Sequence, residues 1–344
     1  MIGQAAAPGR GTAPAARRIV ILGAARSGTK ALRDALALAT GAGRVPYDIG
    51  YVWRHGNEHW PDDVLETAAV DQRARRFIRQ FVDRYAAGEP PTVIEKTVGN
   101  SLRLPVVAAV FPDAALVHLI RDGVDVAESA YRQWTAPVGL RYLLAKLPHV
   151  PLRLAPRYGA KYLRSVIRRH LPGDRRLASW GPRYRGIDED LRREELLVVC
   201  ARQWRESVTR TREDADRLGL RLYEIRYERL VADPERELVG LISALGLSHS
   251  SDRLREAARR LTPNRQGVGR RRLDRRERAL LEDEIGDLLD ALRYQRPLGD
   301  TDGTPPERTQ QGGAHPEAPT SATTGTTGDP GTGQPSGRPT ASFR

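Results

Sequence analysis

The chain reads as an α/β protein: a P-loop-like parallel β-sheet flanked by helices on both faces, with a basic helical insertion and disordered termini. Three observations predict it. Short apolar runs alternate with longer amphipathic segments through the middle of the chain, as in sheets buried on both faces. The run Arg18–Leu22 (RIVIL) passes through a Gly-containing loop, GAARSGTK, into a helix-period segment. A second apolar run, Leu116–Ile120, ends in RDGVD and again leads into a helical pattern.

The elements follow in order. Strands are expected at Arg18–Leu22, Thr92–Ile94, Leu116–Ile120 and Leu222–Arg226, each short, apolar and bounded by polar or turn residues. The first helix runs from about Thr29 to Ala39, with Gly41 as its stop. Further helices are expected near Val64–Tyr85, Ser101–Phe111, Val124–Trp134, Glu189–Arg217, Pro234–Leu245, Ser251–Leu261 and Asp274–Leu292. Residues 1–16 read as a disordered leader, 17–298 as the folded domain, and 299–344 as a disordered tail rich in Gly, Pro, Thr and Ser. Within the domain, 135–185 reads as an insertion broken into short helices by prolines.

Composition narrows the function classes. The 344 residues include 40% hydrophobic side chains, enough for a sizeable core. One cysteine, Cys200, excludes an internal disulfide framework and a cysteine-based zinc site. No apolar run reaches the eighteen or so residues of a membrane span, and the N-terminus lacks the apolar core of a secretion signal, so a cytoplasmic location is expected. The formal charge of +13 fits an anionic ligand, an acidic polymer or a membrane surface, and equally an arginine-rich solvated exterior.

The two strand-to-helix loops carry the chemistry. Gly23 and Gly28 let backbone approach a ligand, and the amides of Ser27, Gly28, Thr29 and Lys30 point at an anion on the positive end of a helix dipole. Arg26, Ser27, Thr29 and Lys30 add side-chain donors. A magnesium-nucleotide loop places Lys beside the Gly and a hydroxyl after it; here Thr29 precedes Lys30, and Arg26 puts a cation inside the loop. That order suits an anion neutralised by protein cations rather than by Mg²⁺. In the second loop Arg121 ends the strand, Asp122 caps a helix, and Ser129 falls in its second turn. The two loops, about ninety residues apart in sequence, describe a ligand with two separated anionic groups.

With RSGTK followed by RDGVDVAES, the sequence resembles the sulfotransferases that use 3′-phosphoadenosine 5′-phosphosulfate (PAPS), nearer the Golgi and bacterial branch of tyrosylprotein and carbohydrate enzymes than the cytosolic phenol enzymes. The resemblance covers about Arg18 to Tyr294. It implies that Arg26, Ser27, Gly28, Thr29 and Lys30 hold the 5′-phosphosulfate, that Arg121 and Ser129 hold the 3′-phosphate, and that Tyr227 contacts the nucleotide. It also places a basic closing loop at NRQGVGRRRL (Asn264–Leu273), from which Arg270 is the expected contact. Gln133 stands where some relatives carry a further phosphate-binding Arg, with Arg132 one position away. No metal is implied.

Sulfuryl transfer needs in-line positioning, charge stabilisation and help in deprotonating the acceptor. Arg26 and the loop amides supply charge. Lys30 or Lys96 can serve the departing bridging oxygen; for Lys96 the bland alternative is an ion pair with Glu95. The general base is expected in YVWRHGNEHW (Tyr51–Trp60), where Glu58 matches by placement and His55 is the competitor. The insertion contains a single acid, Asp174, among many Arg and Lys, with Tyr142, Tyr158, Tyr162, Trp180 and Tyr184. It is expected to grip an acidic glycan or lie peripherally on the anionic inner membrane face, the bland alternative being a solvated basic surface. A sugar hydroxyl of a glycan or glycolipid is the first expected acceptor, a small phenolic or other natural-product hydroxyl the second, a protein tyrosine the third. No specific nucleic acid is expected. A P-loop kinase and a charge-driven membrane- or nucleic-acid-binding module are the rival classes; the first needs Mg²⁺, the second needs neither loop.

Overall fold

Five parallel strands lie in the order β2-β3-β1-β4-β5: β1 Arg17–Leu22, β2 Gly43–Arg44, β3 Thr92–Glu95, β4 Ala115–Ile120 and β5 Leu222–Arg226. The computed structural model describes residues 16–135, 180–263 and 265–298, all within the compact unit Met1–Thr301. The four strands read from sequence are present. The two-residue β2 carries too little apolar sequence to stand out; it exists because Gly43 and Arg44 pair with Val93 and Ile94.

The sheet is buried on both faces because β1 alternates within an all-apolar run. Ile19 and Ile21 point into one layer, Val20 and Leu22 into the other, and all four are completely buried. Burial of each such side chain contributes about 1.5–3 kcal/mol. On the first face lie α1 (Thr29–Thr40), α8 (Tyr227–Ala232), α9 (Pro234–Ala244) and α10 (Ser251–Arg259), through Leu32, Leu36, Leu230, Leu238, Ile242 and Leu254. On the other lie α2 (Gly50–Trp53), α3 (Gln72–Asp83) and α4 (Leu104–Val110), through Trp53, Ile78, Phe81 and Val107. A third cluster joins α5 (Gly123–Thr135), α6 (Ile187–Arg193), α7 (Leu196–Leu218) and α12 (Arg275–Ala291) around Trp204, and α11 (Val268–Arg272) packs against α5.

Several helix expectations are corrected. The helix expected at Val64–Tyr85 is a 3₁₀ turn, Thr67–Ala69, then α3, because Asp71 caps a new helix by accepting from the Ala74 amide at 2.7 Å. Ser101–Phe111 divides into a 3₁₀ turn, Val98–Leu102, and α4, whose N-terminus carries Pro105. The long helix expected at Glu189–Arg217 breaks at Glu194 and Glu195, which are extended, giving α6 and α7. The helices α2, α8 and α11 are too short for a periodic signal. Among the described residues, no helix is long and apolar enough to cross a membrane.

Residues 1–15 of the expected leader and the expected tail lie outside the described residues, as do 136–179 of the expected insertion, including Tyr142, Tyr158 and Tyr162. Its two roots are described. Gln203 accepts from the Trp134 indole at 3.3 Å and donates to the carbonyls of Trp180 and Pro182 at 2.9 Å each, clasping both roots to α7. Tyr184 is a buried core residue whose hydroxyl donates to Asp190, and Trp180 packs against the same core, so these two aromatics belong to the domain rather than to a gripping surface.

Candidate functional site

Parallel strands present their carboxyl ends on one edge, and β1, β3 and β4 are neighbours, so the segments after each meet there. After β1 the chain forms the first loop, residues 23–28, then α1. Gly28 is the N-cap of α1, with φ +95°, and no side chain caps the helix start. A Cβ on Gly28 would stand 2.7 Å from the Tyr227 ring, so glycine is required for both conformation and space. Arg26 has φ +76°, an uncommon left-handed conformation for a side-chain-bearing residue, at the centre of the loop.

After β4, Arg121 and Asp122 lead into α5. The two loops meet directly. Arg26 Nε donates to Ser129 Oγ at 2.9 Å, and Arg121 Nη1 donates to the Arg26 carbonyl at 3.2 Å. Arg121 lies over the Tyr227 ring at 4.4 Å and is fixed by Asp125 at 3.2 Å. Its own carbonyl accepts from the Trp204 indole at 3.0 Å, which ties the loop to the core of α7. Tyr227 is thus a buried wedge between Gly28 and Arg121.

The closing segment near the C-terminus arrives on the same spot. Asp125 accepts from the amides of Gly267 and Gly269 at 2.8 and 2.7 Å, and Arg121 donates to the Arg265 carbonyl. Burial, followed by the like charges of Arg265, Arg121 and Arg132, pulls the Arg26 guanidinium below its ordinary pKa. Four arginines therefore converge, with Glu128 as a nearby carboxylate bound to Arg132 at 2.8 Å and to Arg272 at 3.2 Å. Such a cluster asks for an anion. Two buried polar atoms in it, Ser27 Oγ and Arg121 Nε, have no partner. Unsatisfied donors in a pocket of converging cations, at an uncapped helix start, have the chemistry of a site for phosphate-like groups.

Other sequence-named residues fall differently. Thr29 is buried in the first turn of α1. The Lys30 ammonium points outward, 74% exposed, and pairs with Asp34 at 2.8 Å, so the residue's amide rather than its side chain faces the helix start. Arg270 donates to Asp122 at 3.1 and 2.9 Å and to the carbonyls of Gln295 and Arg296. It braces the C-terminal segment, while Arg265, five residues earlier, stands with the cluster. The spelling NRQGVGRRR offered several arginines and no way to choose between them.

Lys96, just past β3, is buried and pairs with Asp48 at 2.7 Å, not with Glu95. Glu95 turns inward and accepts from Thr97 at 2.5 Å, Asn100 at 2.9 Å and Trp53 at 3.3 Å. Burial pushes its carboxyl up to about 7 against those hydrogen bonds. Asp48 was not singled out from sequence; in VPYDIG it is one acid in a turn, and only the pairing of β2 with β3 brings it to Lys96. The expected bases lie on the loop after α2. The His55 ring stacks on Phe77 with centroids 4.1 Å apart, and Glu58 stands 4.0 Å from His55 Nδ1 and accepts from the Gly56 amide at 3.2 Å.

The sheet order, the loop after its central strand and the arginine cluster define an α/β protein with cations gathered at the carboxyl edge of its sheet. The model of the sulfotransferase family matches residues 18–147, which contain both loops. An uncharacterised protein of Aquifex aeolicus is 32% identical over 141 residues, 36% of this chain and 18% of that protein. The omega-hydroxy-beta-dihydromenaquinone-9 sulfotransferase Stf3 of Mycobacterium bovis is 24% identical over 223 residues, 64% of this chain and 46% of that protein. The chain thus spans less than half the length of these curated relatives. Among solved structures, sulfotransferase STF9 from Mycobacterium avium aligns over 84% of this chain and 79% of its own, at 15% identity and a TM-score of 0.46.

Proposed function

We propose that the protein is a PAPS-dependent sulfotransferase acting on a hydroxyl acceptor. The observation that carries this reading is the bond from Arg26 to Ser129, with Arg121 on the Arg26 carbonyl, which brings the two loops into direct contact. PAPS supplies an activated sulfuryl group when bound. The amides at the start of α1, with Arg26, Ser27 and Thr29, would hold its 5′ end; Arg121, Ser129 and Arg265 would hold its 3′-phosphate. The partnerless Ser27 Oγ and Arg121 Nε fit these roles.

Arg26 and the helix-start amides stabilise charge where the sulfuryl group moves. Lys96, fixed by Asp48 at the end of β3, stands one strand from the first loop and can donate to the leaving oxygen. Asp48 joins Glu58 and His55 as a candidate base; its pairing with Lys96 places it at the carboxyl edge of the sheet, whereas His55 is occupied in stacking. The acceptor is first sought among sugar hydroxyls of glycans and glycolipids. The name of the 24% identical relative supports adding an omega-hydroxy-menaquinone acceptor to the screen.

Calorimetry with 3′-phosphoadenosine 5′-phosphate against ATP, with and without Mg²⁺, tests the reading. Metal-independent binding of the bisphosphate, in preference to ATP, supports it. Preference for Mg·ATP overturns it.

A further inference from the structure

The segment after β3, which begins with Lys96, also touches the first loop. Ser101, wholly buried in the 3₁₀ turn Val98–Leu102, accepts the Gly23 amide on its Oγ at 2.8 Å. Gly23 opens the loop with φ +149°, and a Cβ there would stand 2.6 Å from the Leu119 carbonyl. Its backbone is therefore pressed against β4 on one side, and its amide is oriented by Ser101 on the other. Ser101 is itself backed by α7: buried Thr211 donates to the Ser101 carbonyl at 3.2 Å and to the Ser207 carbonyl at 2.8 Å. A continuous hydrogen-bonded path thus runs from the core helix to the first residue of the loop.

We infer that Ser101 is a positioning residue that sets the loop's angle, so that the amides at the start of α1 meet the 5′ group of the nucleotide. The inference rests on the nucleotide reading above. Without the hydroxyl, the Gly23 N–H is buried with no acceptor. Rotation of the Leu22–Gly23 peptide relieves that cost and tilts the loop. The 3′ side has anchors of its own, Trp204 and Asp125 on the Arg121 segment, and meets the first loop through Arg26 rather than through Gly23. Ser101 should therefore affect the 5′ end of the ligand far more than the 3′ end.

Two ligands separate the ends: 3′-phosphoadenosine 5′-phosphate and adenosine 3′-monophosphate, titrated calorimetrically into the full chain without metal. Ser101→Ala should weaken the bisphosphate about tenfold and leave the 3′-monophosphate within about twofold. Ser101→Thr, which keeps the acceptor oxygen, should restore the ratio. Thr211→Val, which removes only the backing contact, should shift the ratio in the same direction by less. Equal weakening of both ligands, or none, in Ser101→Ala makes Ser101 merely structural and overturns the inference while the nucleotide reading stands. Should Ser101→Ala fail to fold, an unchanged ratio in Thr211→Val overturns it. A wild-type chain that does not bind the bisphosphate overturns the nucleotide reading itself, and this inference with it.

Discussion

Arg26 donates through Nε to Ser129 Oγ at 2.9 Å across 103 residues of sequence. That single bond closes the gap between a loop after the central strand and a helix after its neighbour. Arg121 adds a second link by donating to the Arg26 carbonyl at 3.2 Å.

Arg121→Ala removes a buried guanidinium whose Nε has no hydrogen-bond partner. Binding of 3′-phosphoadenosine 5′-phosphate should weaken by about 2–3 kcal/mol, roughly 30- to 150-fold. Metal-free calorimetry reads this. Lys30→Ala, whose ammonium is turned outward to Asp34, should change the same affinity by less than about threefold.

The two closing-segment arginines should separate by phenotype. Arg265→Ala should weaken nucleotide binding with little change in melting temperature. Arg270→Ala breaks the contacts to Asp122 and to the Gln295 and Arg296 carbonyls. It should cost about 1–2 kcal/mol of stability, read by urea denaturation. The reverse pattern would return the anion contact to Arg270.

Gly28→Ala meets both a left-handed backbone and the Tyr227 ring. It should destabilise the fold by about 1–3 kcal/mol and abolish measurable bisphosphate binding. Gly186, also left-handed but with open space around its Cβ, is the control. Gly186→Ala should bind normally.

Among the carboxylates, Asp48→Asn should lower transfer from labelled PAPS by about 10²–10⁴-fold while bisphosphate affinity is kept. Glu58→Gln and His55→Asn should each cost less than about tenfold. Loss centred on Glu58 would move the base to the loop after α2.

Glu95 gives a pH signature. Its folded-state pKa is raised from about 4.5 to about 7, because burial disfavours the charged form. The folded state therefore binds the proton more tightly than the unfolded state, and this contribution is complete below about pH 4.5 and lost as pH rises through 7. Glu95→Gln lacks that titration, so its melting temperature should gain on wild type as pH rises across this window. Parallel curves would show that Glu95 titrates normally.

Much of the site was legible because its parts are local. A Gly-containing turn between RIVIL and an apolar-periodic helix, and Arg121 at the end of VHLI, need only chain geometry to be placed at the edge of a parallel sheet. Periodicity is a weaker guide to where helices stop. Asp71, and the extended pair Glu194 and Glu195, divide what reads as two continuous helices, since a cap or a bend depends on one residue's dihedrals rather than on a pattern.

By itself the sequence determined four of the five strands, the two loops and their resemblance to PAPS-binding motifs, because strand burial and helix-start chemistry are encoded within a dozen neighbouring residues. Tertiary structure alone decided that Asp48 meets Lys96, that Arg265 rather than Arg270 joins the cluster, and that Tyr227 wedges between Gly28 and Arg121. Those outcomes depend on which long-range charge pairs and close contacts form when separate elements pack, and a list of residue types does not contain the competition among several arginines for a few buried carboxylates.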